Sequence, residues 1–388
     1  MPAVYEDPMS EGQSIEDQAG DRDWTRRKLL MSAAGVAIAA PFLRGRRAST
    51  EAPYIIRYTS HVPRSHGLYT EGFVPFQKLV EEEMGDRLRL EGYMDKLLHG
   101  PLDGFKASVT GISDYTHAYA GYQPGSFQLL HALQLPFLFT SPPVASLVAE
   151  ELYPKHFKAE YERMGVYLAH YDTTSAYSII SRRPVRTLED MQGIKMRVTG
   201  GLTAQIFAEL GVVPVVMAAG ETYTAFQRGI LDAVALGASD MATYRLYEIG
   251  NAFTRVDVNM LALQYCLNRQ TFDALPPDIK YDFYRLLRIR SQMCSQNYYA
   301  GPRADRAMET ILDAGVELIE LSEEENQRWR QRLVPLKERF IAENEALGLP
   351  AREVVDDLEQ VAAQYANMTN AEILQRVTDH PVEGIIDF

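Results

Sequence analysis

Arg197 lies in Ile194-Lys-Met-Arg-Val198, an alternating segment that ends at Thr199-Gly200-Gly201 and a helix start. Open α/β sheets bind ligands near the carboxyl ends of their strands. An arginine placed there can grip a carboxylate through two parallel, charge-assisted hydrogen bonds. Arg183, in Ser181-Arg-Arg-Pro184, ends another strand-like run. Spacing alone leaves a structural salt bridge as the competing use of both arginines. The other reactive residue types are less organised. His61 and His66 are five apart, the wrong offset for one helix face, and His99 and His117 are isolated. No His-Glu-x-x-His or Cys-x-x-Cys spacing occurs, so no metal is expected. No Gly-x-Ser-x-Gly elbow occurs either, and Cys266 sits inside an apolar run where a thiol is inert packing. Cys294 lies on an expected helix, and its pairing with Cys266 would need strand and helix geometry to agree. Gly200-Gly201 opens a helix, but the Lys-Ser/Thr of a phosphate loop is missing. These residue types and spacings supply no expected catalytic constellation, metal site or cofactor site.

The elements around these residues alternate. Strand-like runs at 54–59, 87–93, 166–170, 176–181, 194–198, 212–217, 231–236 and 260–267 are interleaved with helical periodicity, for example at 67–84, 202–210 and 221–228. Alternation of this kind predicts an α/β fold with parallel strands and helices on the sheet faces. After Pro276-Pro277 the pattern turns to long helices at 278–300, 303–314, 322–347 and 352–367, with one strand-like run at 316–321. Ser322-Glu-Glu-Glu325 has the form of a capping box. No repeat or Gly/Ser linker divides the body, which favours two lobes joined by crossing strands over two beads on a string.

The chain has 388 residues and a formal net charge of −13, which argues against a nucleic-acid partner. Its first fifty residues read separately. A polar, acidic stretch leads into Thr25-Arg-Arg-Lys-Leu-Leu30 and a soft apolar run from Leu29 to Leu43, broken by Ser32, Gly35 and Pro41. That run is shorter than the ~18 or more residues expected of a membrane span. Paired arginines before it have the form of a twin-arginine export signal, and imply a periplasmic protein. A retained basic helix or an uncleaved anchor is the alternative. Those fifty residues hold seven basic and seven acidic side chains, so the whole −13 belongs to residues 51–388.

A longer pattern surrounds Arg197. It runs Leu188-Glu-Asp-Met-Gln-Gly193-Ile-Lys-Met-Arg197, then Leu210-Gly-Val-Val-Pro214, then Gly220-Glu-Thr-Tyr223-Thr-Ala-Phe-Gln227-Arg-Gly229-Ile-Leu-Asp232. With Ile112-Ser-Asp114 and Leu135-Pro-Phe-Leu-Phe139 upstream, it resembles the substrate-binding proteins of TRAP (tripartite ATP-independent periplasmic) transporters, of the dicarboxylate type. The resemblance covers nearly all of residues 54–345. It implies a two-lobed periplasmic binding protein fold of the Venus-flytrap kind, with crossing strands and a long hinge helix. Lobe I would comprise 51–180 with 269–308, lobe II 181–268 with 309–345, and 346–388 a C-terminal helical extension. It also implies delivery of a small carboxylate ligand to membrane permease subunits driven by an ion gradient. A ligand-presenting role for a sensor system, or a receptor for a sugar acid or C4 acid, is the alternative.

For the site, the resemblance implies that Arg197 pairs with a substrate carboxylate and that Arg183 adds a second contact. His61, Tyr119, Tyr177 and Tyr244 occupy positions that commonly face the cleft. Glu221 is expected to cap and pack rather than to touch ligand. Two departures bear on specificity. Ala219 stands where the family commonly has an aromatic residue, and Leu236 stands where many members have a polar amide. Both predict an enlarged, more apolar pocket with fewer donors, suited to a sizeable, partly apolar acid rather than to a sugar acid or C4 acid.

Overall fold

The computed structural model describes residues 52–388 apart from Pro124; the leader and its paired arginines lie outside the described residues. Eleven strands form two sheets among the described residues. The five-stranded sheet runs β2-β1-β3-β10-β4, with β1 Tyr54–Thr59, β2 Leu88–Tyr93, β3 Tyr115–His117, β4 Val166–Thr173 and β10 Ala262–Asn268. The six-stranded sheet runs β11-β9-β5-β8-β6-β7, with β5 Ser178–Ser181, β6 Lys195–Val198, β7 Val213–Val216, β8 Ala233–Leu236, β9 Ala252–Arg255 and β11 Glu317–Glu320.

Each sheet has a parallel part built by helical crossovers. The helix Val74–Met84 carries the chain from β1 to its parallel neighbour β2, and Leu202–Glu209 carries it from β6 to β7. Each sheet also contains a strand that enters antiparallel: β10 between β3 and β4, and β5 between β8 and β9. These are the strands next to which the chain passes from one sheet to the other, at 174–177 and 256–261. The expected lobe boundaries misplace both. β10 joins the five-stranded sheet because seven of its residues pair along β4, and β5 joins the six-stranded one.

The helix Pro277–Asn297 begins with proline at its first turn, where the missing N–H is no loss. It packs on β4 and on the helix Pro142–Leu152 and brings two arginines into the interior. Arg290 donates to both carboxylate oxygens of Asp172, at 2.7 and 3.0 Å, and Arg288 lies 3.1 Å from Glu150. All four side chains are fully buried.

The expected helix over 322–347 is two helices, Glu323–Leu333 and Pro335–Glu345, because Pro335 cannot continue the hydrogen-bond ladder. Ser322 Oγ accepts from Glu325 N–H at 3.2 Å, but the Glu325 carboxylate accepts instead from Leu188 N–H and Trp329 Nε1–H. Half the capping box therefore forms, and its glutamate ties the helix to the six-stranded sheet's lobe. Beyond Leu349, Ala351–Tyr365 packs on Pro142–Leu152, and Asn370–Asp379 packs on Pro277–Asn297. The extension therefore covers the body of the protein. Cys266 and Cys294 are free thiols, both buried. Among the described residues no helix is long and apolar enough to cross a membrane.

Candidate ligand-binding site

β6 and β8 run parallel, so their carboxyl ends emerge at the same edge of the six-stranded sheet. Arg197 and Thr199 come from the first, Leu236 from the second. β5 runs the other way and pairs Ser178 with Leu236, so its beginning, at Tyr177, reaches that edge. Facing them from the five-stranded sheet are His61, just past β1, His117 at the end of β3, and Tyr119 and Tyr122 beyond it. Asp240 and Tyr244, from the helix Ala238–Thr243 and its end, and Tyr299, past the long helix, complete the enclosure. The space between them is about 50 Å³. A single water needs roughly 10–15 Å³ of such space, so this volume suits a compact ligand.

Arg197 is completely buried. Its Nε and Nη2 donate to the Met217 carbonyl at 3.1 and 3.0 Å, and Nη1 donates to the Ala235 carbonyl at 3.3 Å. A guanidinium has five N–H donors, so two remain beyond the carbonyls, with the Tyr122 hydroxyl within reach of the head group. Among the described residues no carboxylate comes within the 4.0 Å of an ion pair with it, although every other fully buried arginine has one. Backbone carbonyls thus aim the head group without neutralising it.

The polar lining is otherwise held uncharged or short of partners. Burial lowers the His61 ring to about 3, and pushes His117 well below its ordinary value, so both imidazoles are neutral. They stack on each other at 4.7 Å, and Ser60 Oγ meets His117 Nδ1 at 3.1 Å. His61 Nδ1 and His117 Nε2 are buried without a hydrogen-bond partner among the described residues. Thr199 Oγ1 lies beside the Tyr119 and Tyr177 hydroxyls without closing a well-aligned bond to either. Unpaired buried polar atoms are uncommon in native interiors, and these leave hydrogen-bonding capacity open in the cavity wall.

Seven of the eight residues expected from the sequence line this one cavity: His61, Tyr119, Tyr177, Arg197, Ala219, Leu236 and Tyr244. Arg183 does not. It is exposed, and it lies two residues past the far end of the four-residue β5, whose other end begins beside Tyr177. Its run does end a strand, but at the edge of the sheet opposite the cavity. Its neighbour Arg182 is engaged there, with its guanidinium over the Phe226 ring at 5.0 Å. The cavity is compact, and five tyrosines, Tyr122 and Tyr299 among them, make its wall aromatic and rich in hydroxyls. Tyr122, Tyr299, His117 and Asp240 carry no periodic signal, since each belongs to a short turn, a three-residue strand or an element end.

The two sheets' walls approach closely beside the cavity. A Cβ on Gly200 would sit 2.2 Å from the Gly121 carbonyl oxygen. Next to it, Gln134 Oε1 accepts from Thr203 N–H at 3.0 Å and from its hydroxyl at 3.1 Å. A Gly200→Ala substitution therefore has to hold the walls apart, at about 1–3 kcal/mol for forced spacing. The expected result is affinity reduced roughly tenfold or more with little change in the melting temperature of the ligand-free protein. Calorimetric titration beside a thermal melt checks this, and an unchanged affinity would show that the close approach is not needed for binding.

A wider groove of about 500 Å³ lies between residues 135–140 and the helices of the C-terminal part, where Arg330 sits over the Phe137 ring at 3.9 Å. Its charged groups are Arg330, Lys337 and Glu359, and Lys337 and Glu359 pair at 2.8 Å. The smaller cavity, with its unpaired arginine and orphaned ring nitrogens, is the better-equipped site.

Comparison with known proteins agrees in extent with this architecture. Residues 59–344 match the family model of bacterial extracellular solute-binding protein family 7, DctP. The C4-dicarboxylate-binding periplasmic protein DctP of Rhodobacter capsulatus is 26% identical over 294 residues, 74% of this chain and 86% of that protein. A TRAP periplasmic solute-binding protein of Bordetella bronchiseptica, solved with bound mandelate, superposes with a TM-score of 0.74 at 22% identity, over 80% of this chain and 99% of the other. One from Sulfitobacter, solved with galacturonate, superposes with a TM-score of 0.69 at 20% identity, over 79% and 99%. At these identities the structures establish the shared two-lobed fold. The family match extends across both sheets and the site between them, and the chain belongs to family 7 of the bacterial extracellular solute-binding proteins, the DctP family of TRAP receptors for organic acids.

Proposed function

We propose that this protein captures a compact, partly apolar organic acid through its carboxylate and Arg197, and delivers it to the membrane permease subunits of a TRAP transporter after export to the periplasm. The observation that carries this reading is a fully buried guanidinium, with two N–H donors not taken by carbonyls and no protein carboxylate within ion-pair distance among the described residues, at the carboxyl edge of a sheet. Desolvated and uncompensated, such a group is costly unless an anion arrives to pair with it. The apolar body of the acid has Leu236, Leu261, Leu263 and the tyrosine rings to lie against. This supports acids of the mandelate kind, as bound by the Bordetella relative, over the galacturonate of the Sulfitobacter one.

A thermal-shift panel of sugar acids, C4 dicarboxylates and ring-bearing or branched acids tests the class. The largest stabilisation is expected from the last group. Neutral histidines give a dianion no second positive charge, so C4 acids are expected to bind weakly. Stabilisation by sugar acids or C4 acids alone would sink the reading.

A further inference from the structure

Asp240 is a carboxyl group in the cavity wall that capture of a simple acid leaves unused. It is 6% exposed and belongs to the helix Ala238–Thr243. Tyr298 and Tyr299 donate their hydroxyls to Oδ1 at 3.0 and 3.4 Å, and His66 Nε2 lies 3.4 Å from the same oxygen. His66 brings no charge: its Nδ1 accepts from Leu68 N–H, and burial lowers the ring to about 3. Among the described residues no lysine or arginine comes within 4.0 Å of Asp240. The cavity therefore holds two buried, opposite and mutually unpaired charges. They are too far apart to form an ion pair, yet near enough for Arg197 to lower the Asp240 carboxyl against the stronger upward push of burial. Tyr122, Tyr177 and Tyr244 line the same cavity and feel both charges.

A plain carboxylate satisfies Arg197 but sets a second negative charge beside Asp240. A ligand with a carboxylate at one end and an ammonium group at the other satisfies both, and tyrosine faces favour a cation between them. We propose that the ligand is an ammonium carboxylate, a compact amino acid or betaine, with Asp240 as the residue that selects its cationic end. This deepens the acid-receptor reading and rests on it.

Matched pairs that exchange nitrogen for carbon test the proposal on the intact protein: trimethylglycine against 3,3-dimethylbutanoate, 4-aminobutyrate against pentanoate, and phenylalanine against 2-methyl-3-phenylpropionate. In calorimetric titrations, at least one ammonium acid is expected to bind tenfold or more tighter than its carbon partner, or about 1.4 kcal/mol. Asp240→Asn keeps an acceptor for the two tyrosine hydroxyls. It should remove that preference, the ammonium acid losing affinity relative to its carbon partner.

The pH arm needs no variant. Burial raises the Asp240 carboxyl to about 6, and of the groups facing it Tyr298, Tyr299, Tyr122, Tyr177 and Tyr244 are all raised, His66 is low and Arg197 is a guanidinium. Asp240 is therefore the one among them that titrates near there. As pH falls from 7.5 to 5, affinity should drop for the ammonium acid and rise for the plain one. The proposal is overturned if no ammonium acid outbinds its carbon partner, or if Asp240→Asn leaves the preference intact. Plain acids that still bind through Arg197 in that case would leave the acid-receptor reading standing; loss of all acid binding would remove both.

Discussion

Arg197→Ala is expected to abolish useful affinity, weakening the best acid by about 2–5 kcal/mol, or thirtyfold and more. The size follows from burial. In water an arginine–carboxylate contact contributes little, but here the guanidinium is fully buried and its carbonyl partners hold it in a fixed orientation. The orientation also shapes the control. Lysine keeps the charge but loses the planar fork, so it cannot hold the Met217 carbonyl and a carboxylate at once; Arg197→Lys should recover only part of the loss. The alanine variant also leaves the Met217 and Ala235 carbonyls short of a donor, which destabilises the fold by about 1–3 kcal/mol. A melt of the ligand-free variant therefore has to accompany the titration. Folded Arg197→Ala protein that binds the acid as tightly as the parent would remove Arg197 from the site.

How far this site could be read from the chain depended on what each residue's neighbours in sequence reveal. Arg197 stood in an alternating strand followed by glycines, and strand ends in a parallel arrangement point the same way, so its place followed from local pattern and topology. Arg183 stood in an equally clear strand end. What misled was direction: β5 is antiparallel to β8, and periodicity is blind to the sense in which a strand enters its sheet. Pairing of β10 with β4 was hidden for the same reason, since which sheet a strand joins is decided by partners far along the chain. The pocket's aromatic wall was hidden on a third ground. Ala219 and Leu236 were visible as losses, but Tyr122 stands 97 residues before Ala219 and Tyr299 63 residues after Leu236, at element ends with no period. Asp240 looked like one acidic residue among fifty-two. Only packing shows that it is buried, facing a cavity, with an unpaired arginine in the same wall.

The second large effect concerns stability, at the buried pair of Asp172 on β4 and Arg290 on the long helix. Asp172→Ala should destabilise the protein by about 3–5 kcal/mol, because it strands a guanidinium that water cannot reach. His170, 3.7 Å from Asp172, offers no replacement, since burial first and the Arg290 charge second lower it to about 3 and keep it neutral. Replacing both partners by apolar residues of similar volume, as in Asp172→Leu with Arg290→Met, should restore most of the loss, since the penalty is that of an unpaired charge. Urea unfolding at constant slope measures each variant; Asp172→Ala within about 1 kcal/mol of the parent would show that the pair does not matter. Acid supplies an independent check. Burial is the largest single influence and would raise the Asp172 carboxyl, but the Arg290 charge and hydrogen bond together with His170 outweigh it and leave the group below its ordinary 3.8. A carboxyl lowered by folding stabilises fully above its unfolded value, and that contribution disappears as pH falls through the lower folded one. The parent should therefore lose this increment only below about pH 4, whereas Asp172→Ala, lacking it throughout, should show a flatter acid limb. The pair also bears on the site. Arg290 lies over the Tyr265 ring, which stacks on His117 and so on His61. The charge pair that fixes the long helix against β4 thus supports the column of rings forming one wall of the cavity.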